Sequence, residues 1–293
     1  MSAVPAVAPP PARRRKSRRK RAARVGWNVL GIAVFLVMIF PVYWMVSTAF
    51  KPGSQIDSYT PTWLPLHPTL LHFHDALHTP YFWDDLKNSV IIVTVVVALS
   101  MVLAFLAAVA LAKFRFSGRA TFIVSMIVIQ MLPANALIIP LYVVLARYHQ
   151  TGKLTGVIIT YLTFVLPFSI WVLRGFILGI PRDLEEAAMV DGNTRAGAFV
   201  KILLPLVAPG LVATSVFCFI QAWNEFIFAY VLLTDQQKQT LTVWLAGFYR
   251  TSHGTDWGGL MAASVLTAIP VVVFFLFVQR RIAFGLTAGA VRG

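Results

Sequence analysis

Six long apolar stretches, separated by shorter polar segments, dominate this sequence. They cover residues 27–50, 88–112, 121–146, 157–178, 205–233 and 258–278. Because a helix rises about 1.5 Å per residue, about 20 apolar residues cross a hydrocarbon core of roughly 30 Å. The pattern therefore predicts an all-α membrane protein with six transmembrane helices. A cleaved signal peptide is the alternative for the first stretch, but that stretch exceeds the apolar region of about 7 to 15 residues typical of signal peptides, which favours an uncleaved anchor.

Composition agrees with a membrane protein, because 58% of the residues are hydrophobic and only 12% are charged. Soluble domains carry about 25% charged residues. The net charge is +14, and most of the excess lies in the basic run 13–24, directly before the first apolar stretch. Such a run indicates membrane orientation and contact with anionic lipid. Nucleic-acid binding is not predicted, because the sequence has no separate basic fold to support it.

Three regions follow from this pattern. Residues 1–26 form a basic N-terminal arm that cannot bury a core and is expected to be disordered in the cytoplasm. Residues 27–280 form the transmembrane domain, whose main polar loop is 180–205. Residues 281–293 form a tail rich in small residues, which by composition is a frayed terminus.

The distribution of lysine and arginine predicts the orientation of the spans. Six spans place both chain ends on one membrane side, and most of the 25 basic residues lie on that side. Basic residues are concentrated in cytoplasmic segments of membrane proteins. We therefore expect the N-terminus, the loop 180–205 and the C-terminus in the cytoplasm.

The loop 180–205 shows a helical pattern. Pro181 suits a first helical position, and the acidic side chains at 183, 185 and 186 suit the N-terminal end of the helix dipole. A short helix is predicted from about residue 181 to residue 191, and Gly192 is expected to end it. A second helical face follows in Phe199, Ile202 and Leu203, so two short helices with a sharp bend are expected.

One side of the first short helix is narrow and apolar. Leu184, Ala187 and Ala188 have the spacing of neighbours on one helical face, while the opposite face carries acids. This shape suits a knob that docks into a groove of another protein. From the helical pattern alone, an ordinary amphipathic loop helix is the alternative.

The spacing within this loop resembles the EAA loop of the permease subunits of bacterial ABC importers. Glu186-Ala187-Ala188 is followed after three residues by Gly192, and after nine more by Ile202-x-Leu204-Pro205. In that family the loop is the cytoplasmic coupling helix, which lies in a cleft of the ATPase subunit. Asn193 departs from the alanine of many carbohydrate-type members. The resemblance implies coupling roles for Glu186, Ala187, Ala188, Asp191, Gly192, Ile202, Leu204 and Pro205.

The tail reads Gly285-Leu286-Thr287-Ala288-Gly289, followed by a small residue, Val291, a basic residue and Gly293. This pattern resembles the C-terminus of the second permease subunit of maltose-type sugar importers. In that family the tail enters the ATPase dimer interface. The resemblance implies the same contact here for Gly285, Leu286, Thr287 and Gly289. It also implies four partners besides membrane lipid, namely a homologous second permease subunit, two ATPase subunits and an extracytoplasmic sugar-binding protein.

A polar group interrupts the fifth apolar stretch at Gln221, Asn224 and Glu225, which are expected on one helical face. Glu225 is the only acid within a predicted span, and intramembrane acids are candidates for functional sites because they are costly to bury. These residues are therefore candidates for the pore. A structural hydrogen-bond cluster between neighbouring helices is the equal alternative.

Two further features concern helix packing within the spans. Gly175 and Gly179 form a G-x-x-x-G pattern that favours a close helix contact. Prolines inside the spans either break helices around a transport path or only kink them, and they are Pro41, Pro133, Pro140, Pro167 and Pro270.

Enzymatic motifs are absent from the sequence. It contains no Walker-type phosphate-binding loop, no G-x-S-x-G and no H-E-x-x-H. Cys218 is the single cysteine, and the four histidines between residues 67 and 78 are expected to be solvated rather than metal ligands. No catalytic, metal or cofactor site is therefore predicted in this chain, and ATP and magnesium are expected in the partner ATPase.

The residues and the resemblance together predict the permease subunit of an ATP-driven importer of mono- or oligosaccharides in the bacterial cell membrane. It would form half of the translocation pore and move by alternating access. An importer permease for a non-sugar solute is the first alternative. An ion-coupled secondary transporter is the second, and it would show an internal repeat with ion-coupling residues at mid-membrane. A membrane-embedded enzyme would need clustered acids or histidines within the spans.

Overall fold

The computed structural model describes the backbone of residues 15–248 and 255–290, and the side chains of residues 23–248 and 255–279. All regular secondary structure within these ranges is helical. Two 3₁₀ turns (Ala134–Leu137 and Gln236–Lys238) and a π-helical segment (Phe199–Leu203) accompany the α-helices. The α-helices are α1 (Arg15–Ala49), α2 (Gly53–Ile56), α3 (Leu71–His78), α4 (Phe82–Lys113), α5 (Arg119–Met131), α6 (Ile138–Arg147), α7 (Leu154–Leu178), α8 (Asp183–Val190), α9 (Arg195–Ala198), α10 (Leu204–Trp223), α11 (Ile227–Leu232), α12 (Leu241–Gly247) and α13 (Trp257–Ala290).

Five helices in the described part of the chain are long and apolar enough to cross a membrane. They are α1, α4, α7, the continuous helix Arg195–Trp223 that contains α10, and α13. Helix α5 and the segment Ala134–Arg147 meet the same criteria together, as a pair bent by 98°. With this pair counted as one span, the predicted all-α fold of six spans is confirmed.

The third predicted span, 121–146, is not one continuous helix, and of the two alternatives stated for the prolines it is the break that occurs at Pro133. Leu132 is extended, with φ −73° and ψ 131°, because a following proline disfavours the helical conformation of the residue before it. Pro133 also lacks the N–H that a helix interior requires. Of the five prolines predicted inside spans, Pro133 marks this break. The other four lie within α1, the first turn of α6, α7 and α13.

The fifth predicted span, 205–233, is also interrupted. Helix α10 ends at Trp223, and α11 begins only at Ile227. Asn224 and Glu225 lie in the break, so the prediction that they share a helical face with Gln221 is wrong. At its other end, α10 follows α9 and the π-helical segment without a gap. The fifth span therefore continues directly out of the polar loop.

Both chain ends are more helical than expected. Helix α1 begins at Arg15, so residues 15–26 of the basic arm are helical rather than disordered. Residues 1–14 lie outside the described residues. Helix α13 continues to Ala290, past the expected start of a frayed tail at residue 281. The predicted ATPase contacts at residues 285–289 lie where side chains are not described.

Helices α4, α7 and α10 form the centre of the fold, and α1 packs along α13. Two clusters of buried side chains hold the centre together. One cluster includes Val157, Trp223 and Leu241, and the other includes Phe105 and Leu203. The second cluster lies beside the polar loop, because it joins the C-terminal half of α4 and of α7 to the start of α10.

Helices α7 and α10 approach each other closely at Gly210. A Cβ atom at Gly210 would lie 2.7 Å from the ring of Phe176. A Cβ atom at Gly175 would have nothing within 4 Å, and one at Gly179 would meet only the backbone of its own helix. Within the described chain, the G-x-x-x-G pattern therefore does not make the close contact that it predicts, and Gly210 makes one instead.

Candidate coupling loop and intramembrane cavity

Helix α8 is the first short helix predicted in the polar loop. It begins at Asp183, two residues after Pro181, and carries Asp183, Glu185 and Glu186 in its first turn. Carboxylates in the first turn interact favourably with the unpaired N–H groups of the helix end. The helix runs to Val190, close to the predicted end at residue 191. The predicted short helix is therefore present, although the predicted first helical position at Pro181 is not part of it.

The turn after α8 depends on Gly192, which has a left-handed φ of 89°. This conformation favours glycine because it has no Cβ. The turn closes with two backbone hydrogen bonds, from the Gly192 N–H to the Met189 carbonyl oxygen (3.1 Å) and from the Asn193 N–H to the Ala188 carbonyl oxygen (3.0 Å). Such bonds satisfy carbonyl groups at a helix end. The predicted bend at Gly192 is therefore present.

Asn193, which replaces the alanine of many carbohydrate-type permeases, makes two side-chain hydrogen bonds within the loop. Its side-chain amide donates to the Ala188 carbonyl oxygen at 3.1 Å, and its side-chain oxygen accepts from Lys201 Nζ at 3.1 Å. The amide thus links the end of α8 to the π-helical segment beyond α9. The sequence offers no signal for this link beyond the polar residue type.

The second half of the loop begins with an N-cap. Thr194 Oγ1 accepts from the Gly197 N–H at 3.1 Å and starts α9. Ile202 lies in the π-helical segment that follows, and Leu204 and Pro205 form the first turn of α10. The loop residues named by resemblance therefore occupy two helices, the turn between them and the start of the fifth span.

The exposed apolar face of α8 differs from the predicted one. Ala188 is only 6% exposed and packs against its own chain, so it is not available to a partner. Leu184 is 45% exposed and Val190 is 87% exposed, and Ala187 is exposed as well. The surface that α8 offers to another protein is therefore Leu184, Ala187 and Val190, with the exposed carboxylate of Glu186 beside it.

An ion pair ties α8 to the end of the second span. Lys113 Nζ lies 2.7 Å from Glu185 Oε1, and the two side chains are 14% and 23% exposed. Partial burial reduces screening by water, so this pair holds the loop more firmly than a surface pair does. The rings of Phe105 and Phe199 add a contact between α4 and the π-helical segment, with centroids 5.2 Å apart. The sequence does not predict this role of Lys113, because nothing in its spacing links it to Glu185.

Glu225 acts as a cap at the break in the fifth span. Its carboxylate accepts from the N–H groups of Phe228 (2.9 Å) and Ala229 (3.1 Å), at the start of α11. It also accepts from the Tyr161 hydroxyl at 2.7 Å. Thr242 Oγ1 donates to the Glu225 carbonyl oxygen at 2.9 Å. These contacts join α7, α11 and α12, as the structural hydrogen-bond alternative for this residue requires.

A cavity of about 400 Å³ lies against the same carboxylate, between the bend of the third span, α7 and α10. Gln221 and Glu225 both line it. Asn224 does not line it, and its side chain donates to the Ile220 carbonyl oxygen at the end of α10. The structure thus brings two of the three predicted polar residues to one cavity.

Two residues of this cavity are not predicted from the sequence. Gln130 and Asn135 line it from the two sides of the bend at Pro133. In the sequence they are isolated polar positions within the third apolar stretch. The available signal is two amide side chains that flank a proline inside an apolar stretch.

A protein-family model described as "Binding-protein-dependent transport system inner membrane component" matches residues 100–287, which is more than half of the chain. The chain belongs to this family. The matched range includes α8, the turn at Gly192 and both sides of the cavity, so these features lie within the permease domain.

Relatives of this permease include the diacetylchitobiose uptake system permease protein DasC of Streptomyces coelicolor. It is 44% identical over 270 residues, which cover 92% of this chain and 98% of DasC. The trehalose/maltose transport system permease protein MalG of Thermococcus litoralis is 34% identical over 89% of this chain and 94% of its own length.

The fold of this permease also matches a solved structure of a bacterial ABC transporter involved in the import of the acidic polysaccharide alginate. The TM-score is 0.77 at 24% identity, over 92% of this chain and 99% of that chain. At this identity the likeness concerns the fold, and it agrees with a multi-pass membrane subunit.

Proposed function

We propose that this permease is a membrane subunit of an ATP-driven sugar importer, in which it forms half of the translocation pore and couples to a separate ATPase. The family assignment supports import that depends on a binding protein. The names of two relatives refer to diacetylchitobiose and to trehalose or maltose, which supports a sugar as the solute. The observation that carries the coupling role is the bent loop 180–205, which is tied to two spans at once.

The proposed assembly contains four other proteins. A homologous second permease subunit completes the pore, two ATPase subunits bind ATP and magnesium, and an extracytoplasmic binding protein delivers the sugar. A related transporter structure, at a TM-score of 0.65 and 17% identity, is described in complex with an alginate-bound periplasmic protein. In this arrangement the N-terminus, α8 and the C-terminus are cytoplasmic, as the distribution of basic residues predicts.

The loop works as a rigid lever in this proposal. The exposed face of Leu184, Ala187 and Val190 docks in a groove of the ATPase, and Glu186 lies beside it for a polar contact. When ATP binding moves the ATPase, α8 moves with it. The movement reaches α4 through Lys113 and α10 through the helical connection Arg195–Trp223.

Moving these two helices changes the shape of the cavity. Helix α10 carries Gln221, and α4 packs along α7, which carries Tyr161. A displacement at the loop therefore alters the cavity walls without any contact between ATP and this chain. In this proposal the permease alternates between two states, one open inward and one open outward. The ATP-bound ATPase shifts the equilibrium between them because it binds the two states with different affinity.

Reconstitution of the full assembly tests this function. The transporter, with its binding protein, is placed in proteoliposomes, and uptake of radiolabelled diacetylchitobiose, trehalose and maltose is measured. We expect uptake that requires ATP inside the vesicles and survives an ionophore. Leu184→Asp should abolish uptake by preventing ATPase docking. Tyr59→Ser is the control and should leave uptake unchanged, because Tyr59 is fully exposed between α2 and α3 and is not part of the loop 180–205. Uptake that continues without ATP and stops with the ionophore would instead identify a secondary transporter.

A further inference from the structure

Another cavity, of about 370 Å³, lies between the start of α4 and the segment that contains α12. Its walls come from the turn before α4, the first turn of α4, the 3₁₀ turn Gln236–Lys238 and α12. These wall segments lie outside the predicted spans, on the membrane side opposite the loop 180–205. The proposed orientation therefore places this cavity on the extracytoplasmic face, and it shares no lining residue with the cavity at Glu225.

Asp85 forms part of the wall and is only 1% exposed. Its Oδ1 is buried and accepts no hydrogen bond from any described residue, and none of the described ion pairs includes Asp85. Lys238, in the adjacent 3₁₀ turn, is already paired with Asp235 at 3.1 Å. A buried charge is strongly destabilising unless an opposite charge or several hydrogen bonds compensate for it. The Asp85 carboxyl group therefore requires either a proton or a cation from outside the described residues.

Aromatic rings make up much of the same wall. Tyr81, Trp244 and Phe248 line the cavity, and the ring centroids of Trp244 and Phe248 lie 4.8 Å apart. Aromatic faces attract ammonium and guanidinium groups through their quadrupole. The Trp244 indole N–H has no partner among the described residues, so it can donate to a water molecule or carbonyl group that accompanies a cation. The acid and the rings together favour a cation over a proton.

The cavity is held in shape by its own chain. Asn88 Nδ2 donates to the carbonyl oxygens of Gln237 (3.0 Å) and Gln239 (3.1 Å), and the Leu241 N–H donates to Ser89 Oγ at 2.7 Å. These bonds fix the start of α4 against the 3₁₀ turn and α12. A ligand that enters a preformed site loses less free energy to ordering the protein. The walls are therefore suited to binding and not only to packing.

We infer that this cavity is a binding site for an organic cation, namely an ammonium or guanidinium group, on the extracytoplasmic face. Asp85 neutralises the charge of the cation, and the rings of Tyr81, Trp244 and Phe248 contact it. The group belongs either to a free amine or to a lysine or arginine side chain of an external protein partner. Once bound, it joins the start of α4 to α12. The inference rests on the proposed function only for the membrane side on which the cavity lies.

Thermal unfolding of the assembled transporter tests direct binding. The probes are n-butylammonium and n-butylguanidinium chloride, which match the ends of lysine and arginine side chains. The uncharged probe is n-butanol, and sodium chloride matches the ionic strength. We expect both cations, but not butanol, to raise the unfolding temperature, because a ligand that binds only the folded state stabilises it.

Asp85→Asn should weaken the apparent affinity for both cations about tenfold, because it removes the charge that the cation pairs with. Asp84→Asn is the matched control and should bind as the unchanged chain does, since Asp84 is adjacent, exposed and outside the cavity lining. Gel filtration should show the same assembly for both variants. The comparison of cations with butanol needs no variant, so it decides the question even if Asp85→Asn fails to assemble.

The affinity for the extracytoplasmic binding protein separates the two sources of the cation. It is measured for the unchanged assembly and for both variants in lipid nanodiscs. Weaker capture by Asp85→Asn alone, together with competition by n-butylammonium, would assign the cation to a basic residue of the binding protein. Equal capture by all three assemblies, with n-butylammonium bound by the unchanged one, would assign it to a free amine.

Three results would overturn the inference. One is an equal effect of butanol and the two cations, and another is an unchanged cation affinity in Asp85→Asn. The third concerns Arg250, which follows α12 in the sequence and lies outside the described residues. Binding of n-butylammonium only after Arg250→Gln would show that the chain itself neutralises Asp85.

The inference and the proposed function can fail separately. An assembly that binds the two cations but imports none of the three sugars would refute the proposed function and leave the cation site in place. Sugar import by an assembly that none of the cations stabilises would refute the cation site alone.

Discussion

Gly192 is the residue on which the shape of the loop 180–205 depends. Its φ of 89° lies in the left-handed region, and a Cβ atom there would meet nothing within 4 Å. A side chain would therefore be penalised by the backbone conformation alone and not by a clash. Left-handed geometry costs other residues about 1–2 kcal/mol, and asparagine tolerates it better than most.

We predict that Gly192→Ala uncouples ATP hydrolysis from sugar uptake, because relief of the strain changes the angle between α8 and α9. Gly192→Asn should retain most of the coupling. Gly118→Ala is the matched control, since Gly118 has a φ of 85° and equally open surroundings but precedes α5. The measurement is the ratio of uptake to ATP hydrolysis. Equal ratios for Gly192→Ala and Gly118→Ala would remove the special role of this turn.

Glu225 illustrates how a single acid is kept in a membrane protein. Its carboxylate satisfies three donors, two of which are backbone N–H groups at the start of α11. Removing it would leave these donors unpaired, and each buried unpaired group costs about 1–3 kcal/mol. The principal role assigned by these contacts is to hold α7 against the break in the fifth span.

We predict that Glu225→Ala lowers the thermal unfolding temperature of the purified assembly more than Tyr161→Phe does. The first change leaves three donors unpaired, and the second removes one donor and leaves both backbone contacts intact. Glu225→Gln should lie between them, because its side-chain oxygen still accepts. The check is thermal unfolding of the three variants in detergent. An unfolding temperature for Glu225→Ala equal to that of the unchanged protein would contradict this assignment.

At the scale of elements, the ion pair between α4 and α8 is the clearest mechanical connection. Lys113 is the last residue of α4, and Glu185 lies in the first turn of α8. The pair spans 72 positions of sequence and joins the second span to a loop that directly follows the fourth. A displacement of α8 is therefore transmitted to α4, the second span, although α4 does not adjoin α8 in the sequence.

We predict that Lys113→Met or Glu185→Gln leaves ATP hydrolysis active while sugar uptake falls severalfold. The exchanged pair Lys113→Glu/Glu185→Lys should recover part of the uptake, since the contact is restored at a coupling energy of about 1 kcal/mol while both charges then oppose the dipoles of their helices. Asp183→Asn is the matched control, because Asp183 lies in the same turn, is exposed and has no side-chain partner among the described residues. Failure of the exchanged pair to recover uptake would assign Lys113 a separate role.

The breaks in the third and fifth spans show that hydropathy predicts where a span lies and not where its helix is interrupted. Apolar composition persists through Leu132 at the first break, and it resumes at Phe226 after the polar Asn224 and Glu225 at the second, so a long hydropathy window continues where the helices stop. The first break has a local cause in Pro133, one of the prolines that the sequence predicts either to break or to kink the spans, and the restriction on the preceding residue favours the break. The second break has no proline and is stabilised by Glu225, whose partners include a residue on another helix. It therefore depends on tertiary contacts.

The orientation of the whole molecule is a prediction that labelling can check. In a chain whose native cysteine is replaced, Glu186→Cys should react with a membrane-impermeant maleimide in inside-out vesicles and stay unreactive in intact spheroplasts. Leu66→Cys, at an exposed position between α2 and α3, should show the reverse. Labelling of position 186 from outside the cell would contradict the cytoplasmic coupling loop and with it the proposed mechanism.

By itself, the sequence determined the class of fold, the number of spans, the short helix α8 and the turn after it. Each of these depends on residues close together in the chain. The length of each apolar stretch determines the spans, the acids of the first turn favour the start of α8, and a glycine that adopts a positive φ forms the turn after it. Only the tertiary structure decided that Lys113 meets Glu185, that Ala188 faces inward, and that Gln130 and Gln221 share a cavity. Those contacts join residues far apart in sequence, whose proximity depends on how the spans pack and where they bend.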